Sequence, residues 1–303
     1  MKYSLLLLLL VFFGQVSFSA VIAHPIPKDT ERILRLSQVI YTSNDSLQIV
    51  RLLRGKVPEG REVLYYAQNF LGVPYVAHTL ERADPEKLVV NLSQLDCTTL
   101  VETVLALSMT KRQRSDSFTD YCQNLMRLRY WDGHMDGYLS RLHYFSWWME
   151  DNMRRQLVQE ISNPQYFTRT LTVNNYYMSA HPSFYKYLKT KPARVDSIAK
   201  LEKKYNGKKW SYLPASFLGL PADSLSAIVR NGDIIALVTK KKGLDFSHLG
   251  FAVWGKDSKL HLLNASSLHH QVVDERKTLQ QYVREHPSCL GISVLRLMDF
   301  PLK

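Results

Sequence analysis

The chain has 303 residues, 46% of them hydrophobic, and carries 39 Lys and Arg against 27 Asp and Glu, a formal net charge of +12. So apolar a composition excludes a disordered or collagen-like chain, and only three cysteines exclude a disulfide-built scaffold. The basic excess favours anionic partners, but the cations are scattered rather than gathered into one run, so cell-wall material, anionic glycans and membrane surfaces come before nucleic acid.

Lys2, the leucine-rich run from Leu5 to Phe13 and the small-residue stretch Ser17-Phe-Ser-Ala20 follow the order of a secretory signal peptide. Cleavage is expected near Ala20 or Ala23, leaving one domain over residues 24–303 that is exported, periplasmic or secreted. The apolar run is too short for a transmembrane helix, and no later segment has the length for one. From Glu31 to about Phe70 the apolar spacing is helical, with Ile33, Leu34, Leu36 and Ile40 in one segment and Val63, Leu64, Ala67 and Leu71 in another. Gly72-Val-Pro74 ends the second of these. A further helix begins near Cys97, its apolar face made by Leu100, Val101, Val104, Leu105 and Leu107.

A helical block then runs from Phe118 to about Ile161, interrupted around Trp131-Asp-Gly133, and the proline- and tyrosine-rich stretch from Asn163 to Val229 reads as long loops. The period changes after that. Asp233–Thr239, Ser247–Trp254 and Lys259–Asn264 read as three strands joined by turn-forming residues. The expected fold class is α+β, a helical first half packed on a mainly antiparallel sheet from the C-terminal third, with helical and loop elaborations around residues 118–230.

Cys97 is the chemically informative residue. Asp96, Thr98 and Thr99 are types that cap helix starts, which puts the thiol at a helix N-terminus, where backbone N–H groups and the macrodipole favour thiolate and can hold an oxyanion. If the last two strands turn through Lys256-Asp-Ser258, with Gly255 paired to Lys259, then Gly250 faces Asn264, and His248 and Asn264 become diagonal neighbours on one face. A register change of one residue would separate them. Cys97, His248 and Asn264 then supply nucleophile, base and orienting group in that order along the chain.

Four segments resemble the NlpC-type cell-wall amidases, papain-like cysteine hydrolases of peptidoglycan. They are Phe70-Leu-Gly-Val-Pro-Tyr75, Leu95-Asp-Cys-Thr-Thr-Leu100, Ser247-His-Leu-Gly-Phe251 and Leu262-Leu-Asn-Ala265. The resemblance implies a papain-like core, with Cys97 as nucleophile, His248 as base, Asn264 as orienting residue and Tyr75 lining the site. Thr98-Thr99 replaces the usual Ser-Gly, and Val76-Ala-His78 replaces the usual Trp-Gly-Gly. With the Thr-Thr-Leu-Val-Glu continuation and Arg141-Leu-His-Tyr144, these departures look like the N-acetylmuramoyl-L-alanine amidase-like branch. That branch implies cleavage of the amide between N-acetylmuramic acid and L-alanine in muropeptides, including 1,6-anhydro forms, with no cofactor and no metal.

Asp96 and Ser247 flank the nucleophile and the base and are read as part of the substrate site. Arg141 could hold a stem-peptide carboxylate beside His143, whereas Trp147 and Trp148 read as a helix face packed inward. Three competing readings remain open. One is a cysteine endopeptidase cutting the γ-D-glutamyl to diaminopimelate bond; another is a zinc amidase using some of His143, His261, His269 and His270, although no HExxH or paired CxxC spacing occurs. The third is a non-catalytic wall-binding module.

Overall fold

The computed structural model describes residues 34–299, and the signal-peptide reading of residues 1–20 falls outside them. The chain opens with a short strand β1 (Val39–Ile40), followed by helices α1 (Ser43–Arg54) and α2 (Glu62–Gln68). Strand β2 (Leu88–Val89) pairs in parallel with β1. Here the helical spacing of Leu34, Leu36 and Ile40 misleads, because Leu36–Gln38 is only a single 3₁₀ turn and Ile40 lies in a strand. The partner β2 is supplied from about fifty residues away, where local periodicity carries no information.

Helix α3 (Cys97–Arg112) is buried on all sides from Thr99 to Thr110, which makes it the central core helix rather than an amphipathic surface one. Two buried hydroxyls on it are satisfied within the helix, Ser108 Oγ donating to the Val104 carbonyl and Thr110 Oγ1 to that of Ala106. Helices α4 (Phe118–Arg129) and α5 (Phe145–Arg154) follow, but the break between them runs well beyond Trp131-Asp-Gly133. The expected helical block ends at strand β3 (Val158–Ile161), not as helix. The tyrosine-rich stretch is also more ordered than its composition implies. It holds β4 (Arg169–Thr172), α6 (Tyr177–Ala180), α7 (Pro192–Tyr205), β5 (Lys209–Pro214) and α8 (Ala222–Ser226).

The last third is β6 (Ile234–Thr239), β7 (Phe246–Trp254), β8 (Leu260–Ser266), β9 (Gln271–Asp274), α9 (Leu279–Arg284) and β10 (Cys289–Leu297). These strands form an antiparallel sheet in the order β4-β5-β10-β6-β7-β8-β9, with β3 also paired to β10. The mixed α+β expectation with a mainly antiparallel sheet therefore holds. Strands β6 to β8 are covered on both faces: Ile234, Ala236 and Val238 belong to the core cluster that also holds Leu100 and Val104 of α3, while Ile235 and Leu237 belong to the cluster that holds Leu279 and Val283 of α9. Double burial is why these strands read as continuous apolar runs instead of alternating ones. The described residues lie in one compact unit, and no helix among them is long and apolar enough to cross a membrane.

Candidate active site

Cys97 is the first residue of α3. Asp96 caps the helix: its Oδ1 accepts from the Thr99 N–H at 2.8 Å, while the Asp96 N–H donates to Thr99 Oγ1 at 2.8 Å. Thr99, which departs from the small residue of the resembling motif, thus closes a reciprocal capping box. The lead-in is fixed from the other side as well. Gly72 and Tyr75 donate to the carbonyls of Val272 and His270, and Leu95 donates to that of Pro74. The segment 72–75 therefore adds to the sheet beyond β9 and hands Leu95 and Asp96 to the start of α3. Gly72, at φ +84°, makes the turn into this segment.

The β7–β8 hairpin has the expected register. Phe251 pairs with Leu263, the Gly255 N–H donates to the Lys259 carbonyl, and His248 Nε2 lies 2.8 Å from Asn264 Oδ1. A register shift where β7 meets β6, between Leu237 and Val238, leaves Ser247 as a bulge next to His248. Gly250 sits across from Asn264 without room for a side chain. A Cβ there would lie 2.7 Å from the Leu263 carbonyl oxygen and 3.0 Å from Asn264 Cβ. Gly250→Ala is expected to cost about 1–3 kcal/mol and to lower turnover by displacing Asn264. Thermal unfolding with parallel rate measurements checks this, and a variant as stable and active as the parent would contradict it.

Cys97 and His248 line one cavity of about 320 Å³, together with Asp96, Arg141, His143 and Ser247. Asn264 lies behind His248, fully buried, and Tyr75 stands beside Cys97 but not on the cavity wall. Trp147 and Trp148 are buried in the core, as their spacing indicates. Arg141, also buried, pairs through Nε with Glu86 Oε1 at 3.2 Å and lies over the Tyr138 ring. His143 is not a cation here: burial, then the nearby Arg141 charge, brings its pKa down to about 3, and its Nε2 lies 2.8 Å from the Tyr138 carbonyl. Of the Arg141 and His143 pair, only the Arg141 guanidinium, itself paired with Glu86, is charged, and it stands beside a neutral imidazole.

Three carboxylates on the wall are already engaged. Asp96 is closed in its capping box, Glu81 accepts from the Lys186 N–H, and Asp245 accepts from the Ser146 N–H, Asn175 Nδ2 and its neighbour's N–H at Phe246. Asp245 thereby ties the start of α5 to the start of β7. Sequence reading missed it, and also missed Glu275, whose Oε1 accepts from Asn264 Nδ2 at 3.1 Å.

The expectation of a resting thiolate is not met. Burial, and next the Asp96 charge, push the Cys97 thiol up to about 12, outweighing the Leu249 N–H and Thr98, which favour the anion. Burial likewise lowers the His248 pKa below 6.5, against the opposing hydrogen bond to Asn264. Both shifts favour a neutral thiol beside a neutral imidazole. Thiolate absorbance referred to Cys97→Ala is expected to be absent at neutral pH. Because a lowered pKa keeps the imidazole unprotonated further into acid, the acid limb of the rate profile should fall below 6.5. A thiolate signal at neutral pH, or an acid limb above that value, would contradict this.

The four histidines of the zinc reading do not converge. His261 faces Asp257, His269 faces Glu275, and among the described residues no three His, Cys, Asp or Glu are grouped to hold a metal ion. Residues 65–292 match a family model described as AmiA-like, N-acetylmuramoyl-L-alanine amidase-like. The chain belongs to that family. The AmiA-like chain is similar to the crystal structure of an N-acetylmuramoyl-L-alanine amidase from Bacteroides uniformis, at 41% identity and TM-score 0.73, covering 78% of this chain and 98% of the other. A Bacteroides fragilis structure with a provisional xylanase name is also 41% identical, at TM-score 0.71, covering 77% and 100%. A Legionella pneumophila protein at 22% identity and TM-score 0.63, covering 86% and 96%, shares the fold. No curated protein matches the chain.

Proposed function

We propose that this AmiA-like protein is a peptidoglycan amidase that cleaves the N-acetylmuramoyl-L-alanine bond of muropeptides, including 1,6-anhydro forms, through Cys97, His248 and Asn264 on a papain-like core. The observation that carries the reading is the shared cavity. A cysteine opening a buried helix faces it beside a histidine whose Nε2 is held by a buried asparagine. That is the arrangement of nucleophile, base and orienting group needed for acyl transfer. Family membership and the Bacteroides uniformis amidase support the particular amide.

With Nε2 bound to Asn264, His248 Nδ1 is the nitrogen that takes the thiol proton. The Cys97 sulfur attacks the lactyl carbonyl carbon, and the resulting oxyanion is held by backbone N–H groups at the start of α3. His248 returns the proton to the alanine nitrogen as the C–N bond breaks, leaving a thioester on Cys97. Water, deprotonated by His248, then releases the lactyl acid and restores the thiol. Arg141 supplies the cation for a stem-peptide carboxylate, with Asp96, His143 and Ser247 around it and Tyr75 supporting the loop behind Cys97. The domain over residues 24–303 is the catalytic unit and works outside the cytoplasm.

The xylanase name of the Bacteroides fragilis structure poses a different chemistry, since glycosidases commonly place two free carboxylates across the scissile bond. The hydrogen bonds that engage Asp96, Glu81 and Asp245 weigh against it here. Incubation of the protein with defined disaccharide-peptides, followed by mass spectrometry, tests the proposal. Intact stem peptide plus free disaccharide is the expected result. Cuts within the peptide would make it an endopeptidase, cuts between sugars a glycosidase, and no product would leave a binding role.

A further inference from the structure

The direction in which the Asn264 amide lies decides which nitrogen of His248 carries a proton. With Oδ1 toward the imidazole, Nε2 must donate and Nδ1 keeps a lone pair; with Nδ2 toward it, the proton moves to Nδ1 and the ring can no longer take one from Cys97. An asparagine packed against His248 alone could satisfy either arrangement. Something must therefore break the symmetry, and the residue just past β9 provides it. Asn264 pairs with Val273 across β8 and β9, so Glu275, two residues further on, is its diagonal neighbour on the same face.

Asn264 is thus the middle of a diagonal row running from β7 across β8 to the residue just past β9, with His248 Nε2 at 2.8 Å on one side and Glu275 Oε1 at 3.1 Å on the other. Asn264 is 0% exposed and Glu275 7%, so water does not substitute for either contact. A carboxylate only accepts hydrogen bonds, which obliges Asn264 to present its NH₂ to Glu275 and its oxygen to His248. Glu275 is held in turn. Its N–H donates to the Leu262 carbonyl at 2.9 Å, and its second oxygen lies 3.4 Å from His269 Nε2.

We infer that Glu275 is a positioning residue that locks the Asn264 amide and, through it, the tautomer of His248 that can accept the thiol proton. The inference rests on the proposed roles of Cys97, His248 and Asn264. It goes beyond them by adding a fourth residue that touches neither substrate nor nucleophile and acts only through polarity.

Polarity can be reversed. In Asn264→Asp two carboxylates meet at hydrogen-bond distance and the amide donor is gone. Adding Glu275→Gln supplies a new donor to the introduced carboxylate, which still accepts from His248 Nε2. Glu275→Gln and Asn264→Asp are each expected to lower kcat by roughly tenfold or more with KM little changed, and the double variant to regain most of the loss of Asn264→Asp. Nitrogen NMR of histidine-labelled full-length protein, assigned with His248→Gln, should find His248 protonated on Nε2 and bare on Nδ1, and a tautomer mixture in Glu275→Gln. A wild-type His248 carrying its proton on Nδ1 would overturn the inference without any variant. So would a Glu275→Gln protein with unchanged kcat and tautomer, or a double variant no better than Asn264→Asp. If Cys97→Ala kept its activity, the catalytic reading itself would fall; if Cys97→Ala is dead while Glu275→Gln is normal, only the role of Glu275 falls.

Discussion

Replacing Cys97 by alanine is expected to lower release of stem peptide from N-acetylmuramoyl-peptides by roughly 10⁴-fold or more while leaving the melting temperature nearly unchanged. The large kinetic effect follows from the bond the sulfur forms, since without it no thioester can be made. The small effect on stability follows from position: alanine suits a first helical turn, and the capping box that starts α3 uses Asp96 and Thr99, not Cys97. Cys122 gives the opposite signature. It is a free thiol, 0% exposed in the core and remote from any role in the cavity, so Cys122→Ala should cost stability and keep kcat. Rates and melting curves for the two variants side by side check the assignment. An active Cys97→Ala protein would mean that some other group attacks the carbonyl.

The part of this site that could be read in the sequence is the part fixed by local geometry. A helix start beside Cys97 follows from cap residues and apolar period, and the His248 to Asn264 contact follows from one turn and its register, because a hairpin carries its partner with it. Features that depend on distant partners were not legible. Val39–Ile40 is a strand only because Leu88–Val89 lies beside it, so apolar spacing misread it as helix. The stretch before β6 looked like loop because its elements bury little of their own; in α7 only Ile198 and Glu202 are buried, and Glu202 is there to accept from the Tyr144 hydroxyl at 2.6 Å. Glu275 follows a four-residue strand and has nothing local to distinguish it from a surface carboxylate. Thiol ionisation was misjudged for a related reason: the helix terminus is visible in sequence, but the burial that opposes it is made by residues from the whole cavity.

Arg129→Met is expected to destabilise the protein by about 3–5 kcal/mol, the largest stability loss anticipated for a single polar side chain here. Arg129 and Glu102 are both almost fully buried, with Nε 2.6 Å from Glu102 Oε2, and the Arg129 guanidinium also donates to the Val89 carbonyl at 2.7 Å. One side chain therefore ties α4 to α3 and to β2. Removing it strands the Glu102 carboxylate in the core, away from water and with only the weaker pull of the Arg141 charge left, and that desolvation is the main cost rather than the lost attraction. Removing both charges should behave differently. Arg129→Met with Glu102→Leu leaves apolar groups facing each other and is expected to recover most of the loss, so the two substitutions are strongly non-additive. Because Glu102 sits on the same helix that Cys97 opens, the single variant should also lose turnover below its melting range, and the double variant should regain it with the packing of α3. Denaturant midpoints for the three proteins decide the matter: a single variant as stable as the parent would show that α3 is held by its apolar surface alone.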